Sequence, residues 1–311
     1  MAQLIKLDNY ISRYQRDTFH YPSQYSRLKK ENWDRLKILW EEQLELKLTM
    51  ENEEELKQTN FSKWRSLFKK RTGVESVNIN EEEADKVNVD ILPSSEEELK
   101  HYFLDTLFPF QLKWASTTIN EMSFIDRRYE RDFLLKYFLQ RIPDTHLLMY
   151  RPVFQLKNGP LEGDIILISP LGIEIITLIE KPSNQVIIPN DSRLWYVEDN
   201  QIQSKILNPL ISVKRTEKVI QSVLKKYQLE FPINKVILSR TNVIDYQSEP
   251  YHTKYIGSNK HEEWLKEKQQ LFTPLKHLQL KVAEALLKHS ESIAVKRPEW
   301  KQADSGDSFS F

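Results

Sequence analysis

Residues 162–181 read EGDIILISPLGIEIITLIEK, and this stretch constrains the fold more than any other. Two apolar runs, Ile165 to Ile168 and Ile173 to Ile179, flank Ser169-Pro170-Leu171-Gly172. Isoleucine dominates both runs. Its β-branched side chain is stiff at χ1 and packs well on a pleated surface, so both runs read as strands. Pro170 sets φ early in the intervening turn, and Gly172 is expected to supply the positive φ that closes it. The segment is therefore a predicted hairpin in the middle of a core. Asp164 opens its first strand, and what faces that carboxylate is the functional question.

The surroundings fill in a unit over 123–245. A helix is expected from Ser123 to Arg141, with Ser123 and Asp126 in capping-box spacing. Phe133, Leu134, Tyr137 and Phe138 are its expected buried face, and Glu130 lies near that face. A strand from Leu147 to Leu156 follows, then a turn at Lys157-Asn158-Gly159-Pro160. Short strands are predicted around Val186 to Ile188 and at Leu194 to Val197. Asn208 caps a helix with Pro209 in its first turn. That helix runs to about Tyr227 with Leu210, Val213, Val219, Ile220, Val223 and Leu224 apolar. Lys214, Arg215, Lys218, Lys225 and Lys226 give it a basic side. Ile233 to Leu238 is expected as a strand covered on both faces. Helix, strand, hairpin, short strands, helix and strand make an α/β unit, a mixed sheet with helices on its faces.

The flanking regions are expected to be different. Residues 1–122 read as mainly helical and highly charged. Leu28, Trp33, Leu36, Leu39, Trp40, Leu44 and Leu46 recur near helical spacing between Tyr25 and Leu56. Glu51 to Glu55 reads as a solvated turn or a helix start. Phe61 to Phe68 is a predicted short helix stopped by Lys69-Lys70-Arg71-Thr72-Gly73. Asn78 to Leu92 reads as a linker. Ser95 with Glu96, Glu97 and Glu98 predicts a helix start, since acidic side chains suit that end of the dipole. This helix is expected to end at Pro109, followed by an aromatic connection through Phe110 and Trp114. A polar loop is expected from Ser239 to Lys260. Residues 246–295 are a predicted helical extension from His261 to about His289, broken near Thr273-Pro274. Residues 296–311 read as a disordered tail.

Composition removes several chemistries. There is no cysteine, which excludes disulfides, thiolate catalysis and Cys-ligated zinc or iron–sulfur clusters. The 45 basic and 45 acidic residues cancel, so no global surplus points to nucleic acid, although a local patch is still allowed. The histidines lack metal-ligand spacing, and no glycine-rich nucleotide-binding motif occurs. No run approaches the roughly 18 apolar residues of a membrane span. The expected location is cytoplasmic.

Taken together, Glu130, Gly163-Asp164, the Ser169-Pro170-Leu171-Gly172 turn, the strand from Ile173 to Ile176, Trp195 and Asn208-Pro209 give a pattern that resembles the nuclease-related domain (NERD) family. The resemblance covers roughly residues 123–245 and implies a restriction-endonuclease-like fold of the PD-(D/E)xK type. In active members an Asp and a following Glu bind a divalent metal. A Lys two residues later orients the attacking water, and a helix Glu can complete the site. Carried onto this chain, Asp164 is the Asp and Glu130 the helix Glu, with Glu162 a further candidate metal ligand. The Glu position falls on Thr177 and the Lys position on Ile179, so the motif is degenerate at both. Glu180 and Lys181 lie close by as substitute catalytic candidates. Strand side chains alternate, however, so Glu180 reaches the face of Thr177 only through a bulge.

The resemblance therefore implies a nuclease-like module with a degenerate site, associated with nucleic acid or with a protein partner. No cofactor is expected in that case. A Mg²⁺- or Mn²⁺-dependent nuclease is the alternative, and a protein-binding scaffold working through the N-terminal helices is another. Plainer roles compete for each residue: Asp164 as a strand-end cap or a partner of Arg151, Glu130 in a surface pair with Arg127 or Arg131, and Glu162, Glu180 and Lys181 as solvated charges.

Overall fold

The computed structural model describes residues 1–52, 92–157, 159–200, 202–271 and 273–297, with side chains described throughout except at 46–52. The predicted helix from Phe61 to Phe68, most of the Asn78 to Leu92 linker, Asn158 and nearly all of the tail lie outside the described residues. In chain order the elements are β1 (Gln3–Leu7), a 3-10 turn (Arg13–Gln15), α1 (Tyr21–Asn52), α2 (Glu96–Trp114), β2 (Glu121–Met122), a second 3-10 turn (Arg127–Arg131), α3 (Phe133–Arg141), β3 (Leu147–Tyr150), β4 (Val153–Leu156) and β5 (Gly159–Glu162). There follow β6 (Ile165–Ile168), β7 (Ile173–Leu178), β8 (Val186–Ile188), β9 (Leu194–Asp199), β10 (Ile202–Leu207), α4 (Leu210–Lys226), β11 (Ile233–Leu238), β12 (Thr253–Ile256), α5 (Ser258–Gln269), α6 (His277–His289) and β13 (Val295–Lys296).

Six strands form the main sheet, in the order β1-β3-β6-β7-β11-β12. β3, β6 and β7 make an antiparallel meander. α4 then carries the chain to β11, parallel to β7, and β12 continues parallel beside it. β6 and β7 occupy the middle of the sheet, and all four residues of β6 and the first four of β7 are buried. Side chains alternate across β7, and their partners identify the two sides. Glu174 pairs with Lys268 of α5. On the opposite side, Lys235 of β11, level with Ile175, pairs with Glu217 of α4 at 2.8 Å. The sheet is thus mixed, with helices on both faces.

Residues 1–27 and 106–311 form one compact unit, and 28–105 form a second. The first contains all of the strands found among the described residues. In the second, Trp33 packs on Phe103, and Trp40 Nε1 donates to the Pro93 carbonyl at 2.7 Å. Ser95 Oγ accepts from the Glu98 amide at 3.2 Å, the cap expected from the sequence.

Several expectations need correction. The N-terminal region, expected as mainly helical, also supplies a strand that was not expected: β1 pairs in parallel with β3. The helix expected over 123–141 is reduced to α3. Asp126 accepts from the Arg128 amide at 2.9 Å and Asp132 from the Leu134 amide at 2.9 Å, so each aspartate starts a new segment. Ser123 caps nothing: its hydroxyl donates to the Ile293 carbonyl at 2.6 Å. The buried residues of α3 are Leu135, Phe138 and Leu139, whereas Phe133 is 82% exposed.

The strand expected over 147–156 breaks at Arg151, whose φ of 47° turns the chain away into the β4–β5 hairpin. α2 runs through Pro109 to Trp114. Aromatic packing continues it, with Phe110 and Trp114 centroids 4.8 Å apart and Tyr25 stacked on Phe110. β12 lies within the expected polar loop. β10, with mostly exposed side chains, was not legible from periodicity. Gly172 has no positive φ. It is required instead by close approach, since a Cβ there would lie 2.9 Å from the Pro232 carbonyl oxygen.

Candidate functional site

β6 and β7 pair in the register Ile165 to Ile176, so the next pair outward is Asp164 and Thr177. Thr177 Oγ1 donates to Asp164 Oδ1 at 2.5 Å. Two further hydroxyls arrive from α4. Ser212 Oγ lies 3.1 Å from Oδ1 and 3.0 Å from Oδ2, and Thr216 Oγ1 donates to Oδ2 at 2.7 Å. The Asp164 amide in turn donates to Thr216 Oγ1 at 3.2 Å. Ser212 and Thr216 are four residues apart, one helical turn, and so meet the same target. Thr216 is 1% exposed and sits among Val213, Val219 and Ile220 on the buried side of α4. A carboxylate has about four acceptor positions, and three hydroxyls occupy both oxygens here.

This arrangement does not suit a divalent metal. Mg²⁺ is held through one or two carboxylates with near-octahedral oxygen geometry. Asp164 offers one carboxylate, and three neutral donors already bond to its two oxygens. The Thr177 hydroxyl stands where a second carboxylate would be needed. Glu162 is exposed on β5, and Glu130 is exposed in the second 3-10 turn, so neither is drawn into the cage. Arg151 makes no hydrogen bond or ion pair with Asp164; its guanidinium lies over the Tyr150 ring. Among the described residues no group of three or more His, Asp or Glu is arranged to hold a metal ion.

Glu180 and Lys181 are also elsewhere. Glu180 accepts from Arg240 Nε at 2.5 Å and from Nη2 at 2.9 Å, a bidentate pair, and Arg240 lies 4.9 Å from the centre of the Tyr137 ring. The Arg240 hydrogen bonds hold the Glu180 carboxyl below the usual glutamate range. The Lys181 amide donates to Asn242 Oδ1 at 2.8 Å. Asn242 is fully buried and also donates to the carbonyls of Pro182 and Gln185, at 2.8 and 3.0 Å. These bonds anchor the chain after β7. The Ile179 amide still bonds the Leu238 carbonyl at 2.9 Å, so no bulge swings Glu180 towards Asp164. Beside Glu180, Tyr137 and His261 share a short hydrogen bond, and burial lowers the His261 pKa.

Trp195 and Asn208 are structural. Trp195 is fully buried and donates to the Asn190 carbonyl at 2.9 Å. Asn208 accepts from the Leu210 amide at 3.0 Å and donates to the Ser192 carbonyl at 2.9 Å, fixing where α4 begins. Sequence reasoning missed Ser212 and Thr216. Their only signal was two hydroxyl residues, one turn apart, near the apolar side of a helix.

No known protein-family model matches this chain, and no solved structure matches it. A 41-residue segment is 49% identical to a protein of Geobacillus stearothermophilus described as an RNA 2',3'-cyclic phosphodiesterase. The match spans 13% of this chain and 13% of that relative. Among the described residues no helix is long and apolar enough to cross a membrane.

Proposed function

We propose that this chain is a nuclease-related module of restriction-endonuclease-like fold that has lost metal-dependent phosphodiester chemistry and associates with nucleic acid. The succession of α3, β3, the β6–β7 hairpin, α4 and β11 supports the fold reading. One observation carries the loss of chemistry: both oxygens of the Asp164 carboxylate are engaged by the hydroxyls of Thr177, Ser212 and Thr216. A hydrolytic centre needs ligating oxygens around the metal and an oriented water. At this site the second acid is a threonine, and Ile179 stands where a lysine would be. A cytoplasmic location belongs to the same reading, since a chain without cysteine suits a reducing compartment.

The test is a cleavage assay with Mg²⁺ or Mn²⁺ on single- and double-stranded DNA and RNA, using wild type and Asp164→Ala. RNA belongs in the panel because the short match is to a protein described as acting on an RNA cyclic phosphodiester. Equal background in both proteins is expected. Cleavage present in wild type and absent from a folded Asp164→Ala protein would overturn the proposal.

A further inference from the structure

α4 covers one face of the sheet with its apolar side and presents a charged side outward. Lys214, Arg215, Lys218 and Lys225 are exposed, and none has a hydrogen bond or ion pair. Lys226 extends the set but leans on Tyr227 and on His289 Nε2, 3.1 Å away. The only acid of the helix, Glu217, points inward to Lys235 at 2.8 Å. Beyond the helix, Glu230 borders a hollow of about 550 Å³ that also touches Lys225. In a chain whose 45 basic and 45 acidic residues cancel, four unpaired cations on one helix side are a local concentration of charge.

Lys214, Lys218 and Lys225 are spaced i, i+4 and i+11, so they form one row along the helix. At about 1.5 Å per residue the row spans roughly 16 Å. Successive phosphates of one strand rise about 3.4 Å each along a duplex, so the row faces several of them. We infer that the outer side of α4 binds the phosphate backbone of a nucleic-acid duplex without reading its sequence. This rests on the nucleic-acid association proposed above and names the surface and the form of nucleic acid.

Two observations favour a duplex over other polyanions. The exposed side of α4 carries no aromatic residue over 210–226, and single-strand binding relies on aromatic platforms for the bases. An anionic membrane would need an apolar side free to enter the lipid, whereas Leu210, Val213, Val219, Ile220, Val223 and Leu224 are all buried.

The test is fluorescence anisotropy of the full chain with a labelled duplex of about 20 base pairs, the length of one to two helical turns of contact. Its single strand and anionic vesicles serve as separate arms. The variant is Lys214→Gln/Arg215→Gln/Lys218→Gln/Lys225→Gln, and Lys254→Gln/Lys266→Gln is the control. All six side chains are exposed, so both variants should keep the wild-type fold, which circular dichroism checks before binding is compared. Each lost phosphate contact removes about 0.9 from the slope of log affinity against log salt. The quadruple variant should therefore lose roughly a hundredfold or more at 0.1 M salt and flatten the slope by up to about 3.6. The control should bind like wild type. Wild-type binding that survives in the quadruple variant would overturn the α4 surface and leave nucleic-acid association standing. A wild type that binds no nucleic acid, or vesicles alone, would overturn both. Binding to the single strand alone would overturn the duplex assignment.

Discussion

At the scale of residues, Asp164 is held by hydrogen bonds from three hydroxyls, those of Thr177, Ser212 and Thr216. Asp164→Ala leaves three hydroxyls without their shared acceptor and should cost about 1–3 kcal/mol in urea unfolding. Thr177→Val removes one of the three donors and should cost less, about 0.5–1.5 kcal/mol. His146 gives a pH signature. It is fully buried, its Nε2 has no hydrogen-bond partner, and burial lowers its pKa to about 3. Between that value and 6.5 the unfolded chain binds the proton and the folded chain does not. Stability therefore falls as pH drops from 6.5 towards 3, by an amount of order a few kcal/mol. His146→Leu should flatten that part of a stability–pH curve, and an unchanged curve would rule the assignment out. Asp164 was legible in the sequence because a lone acid at the edge of an isoleucine block is conspicuous. The motif of the resembling family, carried onto the chain, also put Thr177 at the position of the second acid. Ser212 and Thr216 were not legible, since hydroxyls on a helix look alike whether they face water or a carboxylate.

At the scale of elements, local pattern succeeded where apolar periodicity was strong. The β6–β7 hairpin, α4 and the pair α5 and α6 all follow from it, because their burial uses the side chains that made the pattern. It failed where a side chain or a distant contact overrode propensity. Asp132 takes the amides that would have extended a longer helix, and Pro109 is carried within α2 by aromatic packing. Gly172 was read correctly as necessary but for the wrong reason. Gly172→Ala should destabilise by about 1–3 kcal/mol through its clash with Pro232, with no gain from a shorter turn. The Glu180–Arg240 pair ties the end of β7 to the loop after β11. Arg240→Lys loses the bidentate geometry and the contact with Tyr137. Because the pair is partly exposed, the expected cost is only about 0.5–1 kcal/mol.

At the scale of the whole molecule, both ends of the described chain contribute to the unit that carries the site. Lys6 on β1 is fully buried, and its ammonium donates to the carbonyls of Tyr10 and Glu291, each at 2.6 Å, and to Ser292 Oγ at 2.7 Å. Two of these bonds tie the first strand to residues that follow α6, and the third holds the turn after β1. This long-range closure could not be read from a lysine in a short apolar run. The site, by contrast, depends on neighbouring strands and one crossover helix, which is why its outline was accessible from the sequence. The central claim is that this outline holds a hydroxyl cage where a metal centre would otherwise stand. Calorimetric titration of Mn²⁺ into wild type, Asp164→Ala and Thr177→Glu tests it most directly. The account predicts no saturable heat from wild type or Asp164→Ala, and one-site binding only when Thr177→Glu supplies the second carboxylate. One-site Mn²⁺ binding to wild type, lost in a folded Asp164→Ala protein, would contradict it.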